Sequence, residues 1–174
     1  YAYKSKLFLA FNAGVDGSSR FGKSGSNGVV INGNRFAVLP SASLAWLLSS
    51  ENFMADSKID LLKFRVSWSM TGNDDIGNYS TRQAYMSQNL LGMQGLVRNG
   101  IPNPALQWET SDKENKGFDM SLLKDRINIV FDYYKNKNNG LVFAVPQPPS
   151  LGVPGNQIFQ NVGNMENKGF ELAL

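Results

Sequence analysis

The chain has 174 residues, with 17 Lys+Arg against 14 Asp+Glu for a net charge of +3, and it contains neither Cys nor His. Disulfide scaffolds, thiol nucleophiles, the usual zinc sites and every His-based triad or acid–base pair are therefore excluded. The charge is too small and too scattered for a nucleic-acid surface, so no nucleic-acid partner is expected.

Charged residues are only 18% and aromatics 11%, beside 17 Gly, a balance that leans toward β structure. The longest unbroken apolar run, Leu44-Ala45-Trp46-Leu47-Leu48, is far short of the ~20 residues of a membrane helix. The chain opens on Tyr1-Ala2-Tyr3 with no initiator Met and nothing like a signal peptide, so it is read as part of something longer.

Period-2 alternation dominates from the start. Leu7, Leu9, Phe11, Ala13 and Val15 share one face of a first strand, with Lys4, Lys6, Asn12 and Asp16 mostly on the other. A long polar loop from Asp16 to Asn34 follows. From Arg35 to Leu48, Phe36, Val38, Leu44, Trp46 and Leu48 oppose Ser41, Ser43 and Ala45. A shorter link from Ser49 to Lys58 comes next; Phe53, Met54 and Ile59 could form one helical turn there. The clearest strand is Leu62 to Met70, where Leu62, Phe64, Val66, Trp68 and Met70 alternate without exception with Lys63, Arg65, Ser67 and Ser69.

A very long loop, Gly72 to Leu106, leads to a strand from Gln107 to Leu122 whose Trp108, Phe118, Met120 and Leu122 are in phase around a polar middle. A tight turn at Leu123 to Asp125 precedes Ile127, Ile129, Phe131 and Tyr133, alternating with Arg126, Asn128 and Asp132. A Pro/Gly-rich loop from Gly140 to Gln160 leads to the last alternation, Phe170, Leu172 and Leu174. Asn-Gly occurs at Asn27-Gly28, Asn32-Gly33, Asn99-Gly100 and Asn139-Gly140, and each is expected to mark a turn or loop.

Long and short connections alternate strictly. In an up-and-down meander this gathers the long loops at one end and the short turns at the other, as in transmembrane β-barrels. Strands of about 10 residues suit a tilted bilayer crossing. Trp46, Trp68, Trp108, Tyr133 and Tyr134 near strand ends suit interfacial girdles. The alternative is a soluble carbohydrate-binding β-sandwich, in which the apolar faces meet one another and exposed aromatics stack on sugars.

Several motifs are weighed and set aside. Gly17 to Ser24 fits the phosphate-loop template, and Ile129-Val130-Phe131-Asp132 resembles its partner strand, but Ser24-Gly25-Ser26-Asn27-Gly28 cannot start the required helix. Glu109, Asp112 and Glu114, or Asp74-Asp75, could supply a glycosidase pair in an outer-membrane enzyme. They read more simply as solvated charge. Asn136 to Gly140 lacks the carboxylates of a calcium loop. Asn78-Tyr79-Ser80 matches a glycosylation sequon. No catalytic, metal, cofactor or substrate-binding residue is assigned, and no enzyme activity is expected.

Longer stretches resemble the SusC/RagA family of TonB-dependent outer-membrane transporters. They are Asp16-Gly17-Ser18-Ser19-Arg20-Phe21-Gly22, Arg35 to Trp46, Leu62 to Asn73, Asn103-Pro104-Ala105-Leu106-Gln107-Trp108-Glu109-Thr110, Asp132-Tyr133-Tyr134-Lys135, and Asn161 to Leu172. An insertion from Lys23 to Asn34 is longer than the family usually has. The resemblance implies an all-β fold, an antiparallel meander of about six strands from a large barrel of the 22-stranded type. Residues 1–174 would be part of that barrel, with the plug, N-terminal extension and closing strands outside them. It further implies the outer membrane of a Gram-negative bacterium, gating by TonB, a SusD-like surface lipoprotein as lid, and import of glycans or peptides. Leu7, Leu9, Phe11, Phe64, Val66 and Trp68 would then face lipid, and Lys63, Arg65, Asn128 and Asp132 a wet lumen.

Overall fold

The structure, a computed structural model, describes residues 1–21, 28–152 and 155–174. Its strands are β1 (Ala2–Tyr3), β2 (Leu7–Asp16), β3 (Val29–Ile31), β4 (Asn34–Leu47), β5 (Ile59–Asn73), β6 (Tyr85–Leu90), β7 (Met93–Arg98), β8 (Glu109–Leu122), β9 (Ile127–Pro146) and β10 (Gln157–Ala173). The helical content of the described residues is three single 3-10 turns, at Leu48–Ser50, Asn52–Met54 and Pro149–Leu151. The first two occupy the link where one helical turn was expected.

The main sheet runs β1-β2-β4-β5-β8-β9-β10, every pair antiparallel, so the six long strands form the expected meander. They span from 10 residues in β2 to 20 in β9. Register places one residue of each side by side: Leu7, Trp46, Phe64, Phe118, Phe131 and Leu172 form a single apolar row across all six. Ring centroids along it lie 6.1 Å apart for Phe64–Phe118 and 5.6 Å for Phe118–Phe131. On the reverse face Ala45, Arg65, Gly117, Asp132 and Glu171 form the corresponding row. The expected division of faces holds along these two rows, except that Phe8 of β2 takes the reverse-face position beside Ala45.

Among the described residues nothing packs over the apolar face: Phe11 is 76% exposed, Val66 43% and Leu172 61%, and the buried apolar residues among them are Ala37, Ile76 and Leu106. A sandwich would bury these rows against a second sheet. The second sheet among the described residues is the small hairpin β6–β7, so the sandwich alternative is set aside.

Two expectations about connections need correction. Asn139-Gly140 is not a turn. Gly140 takes a left-handed conformation (φ 65°) inside β9 and produces a register shift, after which β9 continues to Pro146. The loop expected from Gly140 to Gln160 therefore shrinks to residues 147–156. The long loops also carry structure of their own. Asn32 and Gly33 (φ 49° and 74°) close a two-residue hairpin between β3 and β4, the type that Asn-Gly favours. Leu91 and Gly92 (φ 52° and 82°) close β6–β7 in the same way.

The short-turn end is bound tightly. Leu123, Lys124 and Asp125 all have positive φ, and the Asp60 carboxylate accepts the Lys124 and Asp125 amides at 2.6 and 3.3 Å. A register shift in β5 between Ile59 and Leu61 brackets Asp60. At the neighbouring link Glu51 accepts the Trp46 indole N–H at 3.2 Å and the Lys6 ammonium at 3.1 Å. Both hydrogen bonds stabilise the charged carboxylate and hold it below its ordinary pKa, the indole contributing most.

Glycines accept large side chains from the next strand. The ring of Tyr134 lies over Gly169, where a Cβ would sit 2.7 Å from its hydroxyl, and Trp108 covers Gly72 at 2.9 Å. Aromatic cover of this kind pins register in curved sheets.

Candidate functional site

Tying side chains gather on the polar face of the sheet and at the end where the long loops meet, and a further set of ion pairs lies on the apolar-face side of β8, β9 and β10.

On the polar face Arg65 is the hub. Its Nε and Nη2 donate to the two oxygens of Asp119 at 3.1 and 2.8 Å, a fork that only a guanidinium can make. Nη2 also reaches Asp132 at 3.2 Å, and Lys63 Nζ lies 3.8 Å from Asp119. The second oxygen of Asp132 is buried without a hydrogen bond, beside Gly117, where any Cβ would collide with it. Asp132 is thus a lattice point in a cross-strand ion network. It does not end an apolar strand as the phosphate-loop partner would. Of the expected polar-face residues, Lys63, Arg65 and Asp132 come together, while Asn128 pairs separately with Ser121 at 2.7 Å.

At the loop end, hydrogen bonds join two connections to each other and to strands β9 and β10. Ser18 donates to Asp74 at 2.8 Å, Arg20 donates to the Asp74 carbonyl at 2.8 Å, and Thr81 donates to the Arg20 carbonyl at 3.0 Å. These tie the β2–β3 connection to the β5–β8 loop. Asn103 donates to the Phe159 carbonyl at 2.7 Å, which ties that loop to β10. Asn161 completes the junction. Its carboxamide accepts the Gln107 amide at 3.0 Å and donates to the carbonyls of Gln107 at 2.9 Å and Gly140 at 2.7 Å. Leu106, fully buried, and the tilted rings of Phe21 and Trp108, 5.3 Å apart, fill the space beneath.

The phosphate-loop match divides here. Ser18 belongs to the loop junction, as does Arg20; Gly22, Lys23 and Ser24 lie outside the described residues, as do Asn27 and the start of the insertion at Lys23. The carboxylates considered as a hydrolytic pair point to opposite faces of β8. Glu109 accepts the Asn73 amide group and the Val142 N–H, both at 2.7 Å, and Asp112 accepts from Asn139 at 2.9 Å. Each works as a strand tie. Sequence patterning missed Asn103 and Asn161 as junction residues. Their signal was present only as membership of the two family-like stretches Asn103–Thr110 and Asn161–Leu172.

These two stretches, with Ser18 and Arg20 of Asp16–Gly22, are thus the parts that bind loop to strand. The comparisons with known proteins agree with that reading of the fold. The chain is 38% identical to TonB-dependent receptor P3 of Formosa agariphila over its whole length, and 30% identical to TonB-dependent receptor SusC of Bacteroides thetaiotaomicron. It spans 17% of the length of each. Among solved structures it superposes on the RagAB peptide importer in the "open-open" state with a TM-score of 0.82 at 29% identity, covering 99% of this chain and 18% of that one. For the "closed-closed" state the TM-score is 0.80 at 26% identity, covering 98% of this chain and 18% of that one. Residues 2–174 match the family model described as TonB dependent receptor-like, beta-barrel, and the chain belongs to that family.

Proposed function

We propose that residues 1–174 are one slice of the barrel wall of a TonB-dependent importer in the outer membrane of a Gram-negative bacterium. The observation that carries this is the unpartnered apolar face, continuous across six meandering strands and backed by a face of paired charges. Only a hydrocarbon surround accepts such a face while closed antiparallel pairing satisfies the backbone. The short-turn end then faces the periplasm and the joined loops face outward. Trp46, with its ring on the apolar face and its N–H on Glu51, sits as an interfacial anchor should.

The likeness to RagAB and SusC supports a SusD-like surface lipoprotein as lid over the loop end, TonB as the energy-coupling partner, and peptides or glycans as cargo. That this slice superposes equally well on the two named states of RagAB supports a passive role for it. The carboxylates weighed as a hydrolytic pair, Glu109 and Asp112, serve as strand ties, which supports transport without catalysis. Deletion of the full-length gene tests the reading: uptake of peptides or oligosaccharides should fall to the level of a TonB-deficient strain and return with the intact gene. Uptake unchanged by either deletion overturns it.

A further inference from the structure

The apolar face does not stay apolar to the loop end on every strand. On β2, β4 and β5 it runs without a charge to Val15, Val38 and Met70. On β8 it stops at Phe118, and Lys116, Glu114 and Asp112 continue the same face. On β9 it stops at Tyr133 before Lys135 and Lys137, and on β10 at Phe170 before Lys168 and Glu166. The last apolar residue drops from Met70 on β5 to the register of Val66 on β10, four residues in three strand steps. Strands about 4.8 Å apart and tilted by ~35–45° cross a horizontal plane displaced by about 1–1.5 residues per strand. The net step from β5 to β10 has the size expected where a flat interface cuts tilted strands, although it is uneven, with β9 and β10 both ending at the register of Val66. β8 departs from it early, at Lys116, whose long stem can carry its ammonium upward along the wall.

Toward the loop end the outer face of β8–β10 carries a ladder of four lysines, Lys116, Lys135, Lys137 and Lys168, beside three carboxylates, Asp112, Glu114 and Glu166. Lys116 meets Glu114 at 3.3 Å, Lys135 meets Glu166 at 3.4 Å, and Lys168 meets Glu166 at 3.8 Å. The pairing leaves the ammoniums reachable: the side chains of Lys116 and Lys168 remain 56% and 65% exposed, and Lys137 is exposed as well. Tyr133 and Phe170 rim the ladder on its apolar side, where aromatic side chains mark a membrane interface.

We propose that Lys116, Lys135, Lys137 and Lys168 form a docking surface for the phosphorylated saccharide headgroup of an outer-leaflet glycolipid. The inference rests on the outer-membrane orientation given above. The headgroup is fixed by three things: continuity with the lipid-facing band, position at its edge, and lysine side chains that stay exposed at Lys116, Lys137 and Lys168. Lysine suits phosphates that approach from variable directions, because a rotating ammonium imposes no planar geometry.

The test uses the full-length receptor extracted from outer membranes in non-ionic detergent, with retained phosphorylated glycolipid measured by mass spectrometry. Replacing the four lysines by Gln should lower retention at least threefold, and Lys137→Gln with Lys168→Gln should lower it measurably. Lys113→Gln, an exposed lysine on the opposite face of β8, should leave it unchanged. Heat-dependent gel mobility confirms that each barrel is folded; if the fourfold variant does not assemble, the pair of substitutions decides. Retention unaffected by the substitutions overturns the proposal, as does equal loss from Lys113→Gln. A changed number of receptor copies with unchanged glycolipid overturns it too, by assigning the ladder to contacts between copies. Solute uptake by the wild type, scored in the same cells, tests the transporter reading separately: glycolipid held through these lysines by a receptor that carries no solute supports this inference while sinking that one.

Discussion

Asn161 holds three partners with one carboxamide, and every one of them is backbone. Backbone groups of an irregular loop have no ladder to satisfy them, so a side chain that can both donate and accept is needed where loop meets strand. Asn161→Ala would leave an amide and two carbonyls without these partners, a cost of roughly 2–4 kcal/mol borne locally. The loop between β5 and β8 should loosen while the wall stays folded. Trypsin added to intact outer membranes should then cleave at Arg82 or Arg98 much faster than in the wild type, with barrel heat stability little changed. Glu51 gives a pH-dependent counterpart at the other end. Its pKa is lowered in the fold from an ordinary 4.5, so the stabilisation it contributes is present above about that pH and disappears as the pH falls through the folded value. Thermal unfolding of the wild type should therefore show an acid-side decline that Glu51→Gln flattens.

The strands themselves were readable because their physical cause is local: a pleated chain exposes alternate residues to different surroundings, and Leu62 to Met70 obeys this at every position. The elements that escaped are those with no such cause. β6 and β7 are exposed on nearly every residue, so no burial imposes a period on them, and Leu91 at φ 52° is a turn residue that no sequence rule favours. Asn139-Gly140 carried a real signal, a residue able to take positive φ, but bulge and turn need the same conformation. What decides between them lies elsewhere in the chain: Asn161 and Asn164 bind the two polar backbone atoms of Gly140 and let β9 continue. The junction residues were likewise invisible to periodicity, since their partners are 21 to 56 positions away. The division of faces predicts a sharp asymmetry within β5. Phe64→Lys places an ammonium on the apolar face and should cost about 2–4 kcal/mol of barrel stability. Ser67→Lys, three residues along on the polar face, should be nearly neutral. Comparable losses in urea titrations of the refolded full-length barrel would overturn the division of faces, and a larger loss from Ser67→Lys would mean that the faces are inverted.

A sheet of this size with an unpartnered apolar face makes sense only through its surroundings, and the outer face says where those surroundings change. β5 stays apolar to Met70 while β9 turns charged after Tyr133, although Tyr133 lies in register with Lys116 and Val66. In an upright sheet these strands would leave the hydrocarbon at one register, and β8 to β10 would carry charge inside it at a prohibitive cost. Tilt removes the conflict, because positions in register are then at different depths. Single cysteines introduced into the full-length receptor can map that plane, since this stretch contributes none of its own. Reaction with a membrane-impermeant maleimide in intact cells should be slow at Phe131→Cys and Trp68→Cys and fast at Lys137→Cys. The informative site is Glu114→Cys, which pairs in register with Trp68. Fast labelling there beside protection at Trp68→Cys places the interface obliquely across the ladder, as tilted strands require. Equal labelling at the two positions would mean that the charged ladder and the apolar band lie at the same depth, and the assignment of the band to the bilayer would fail with it.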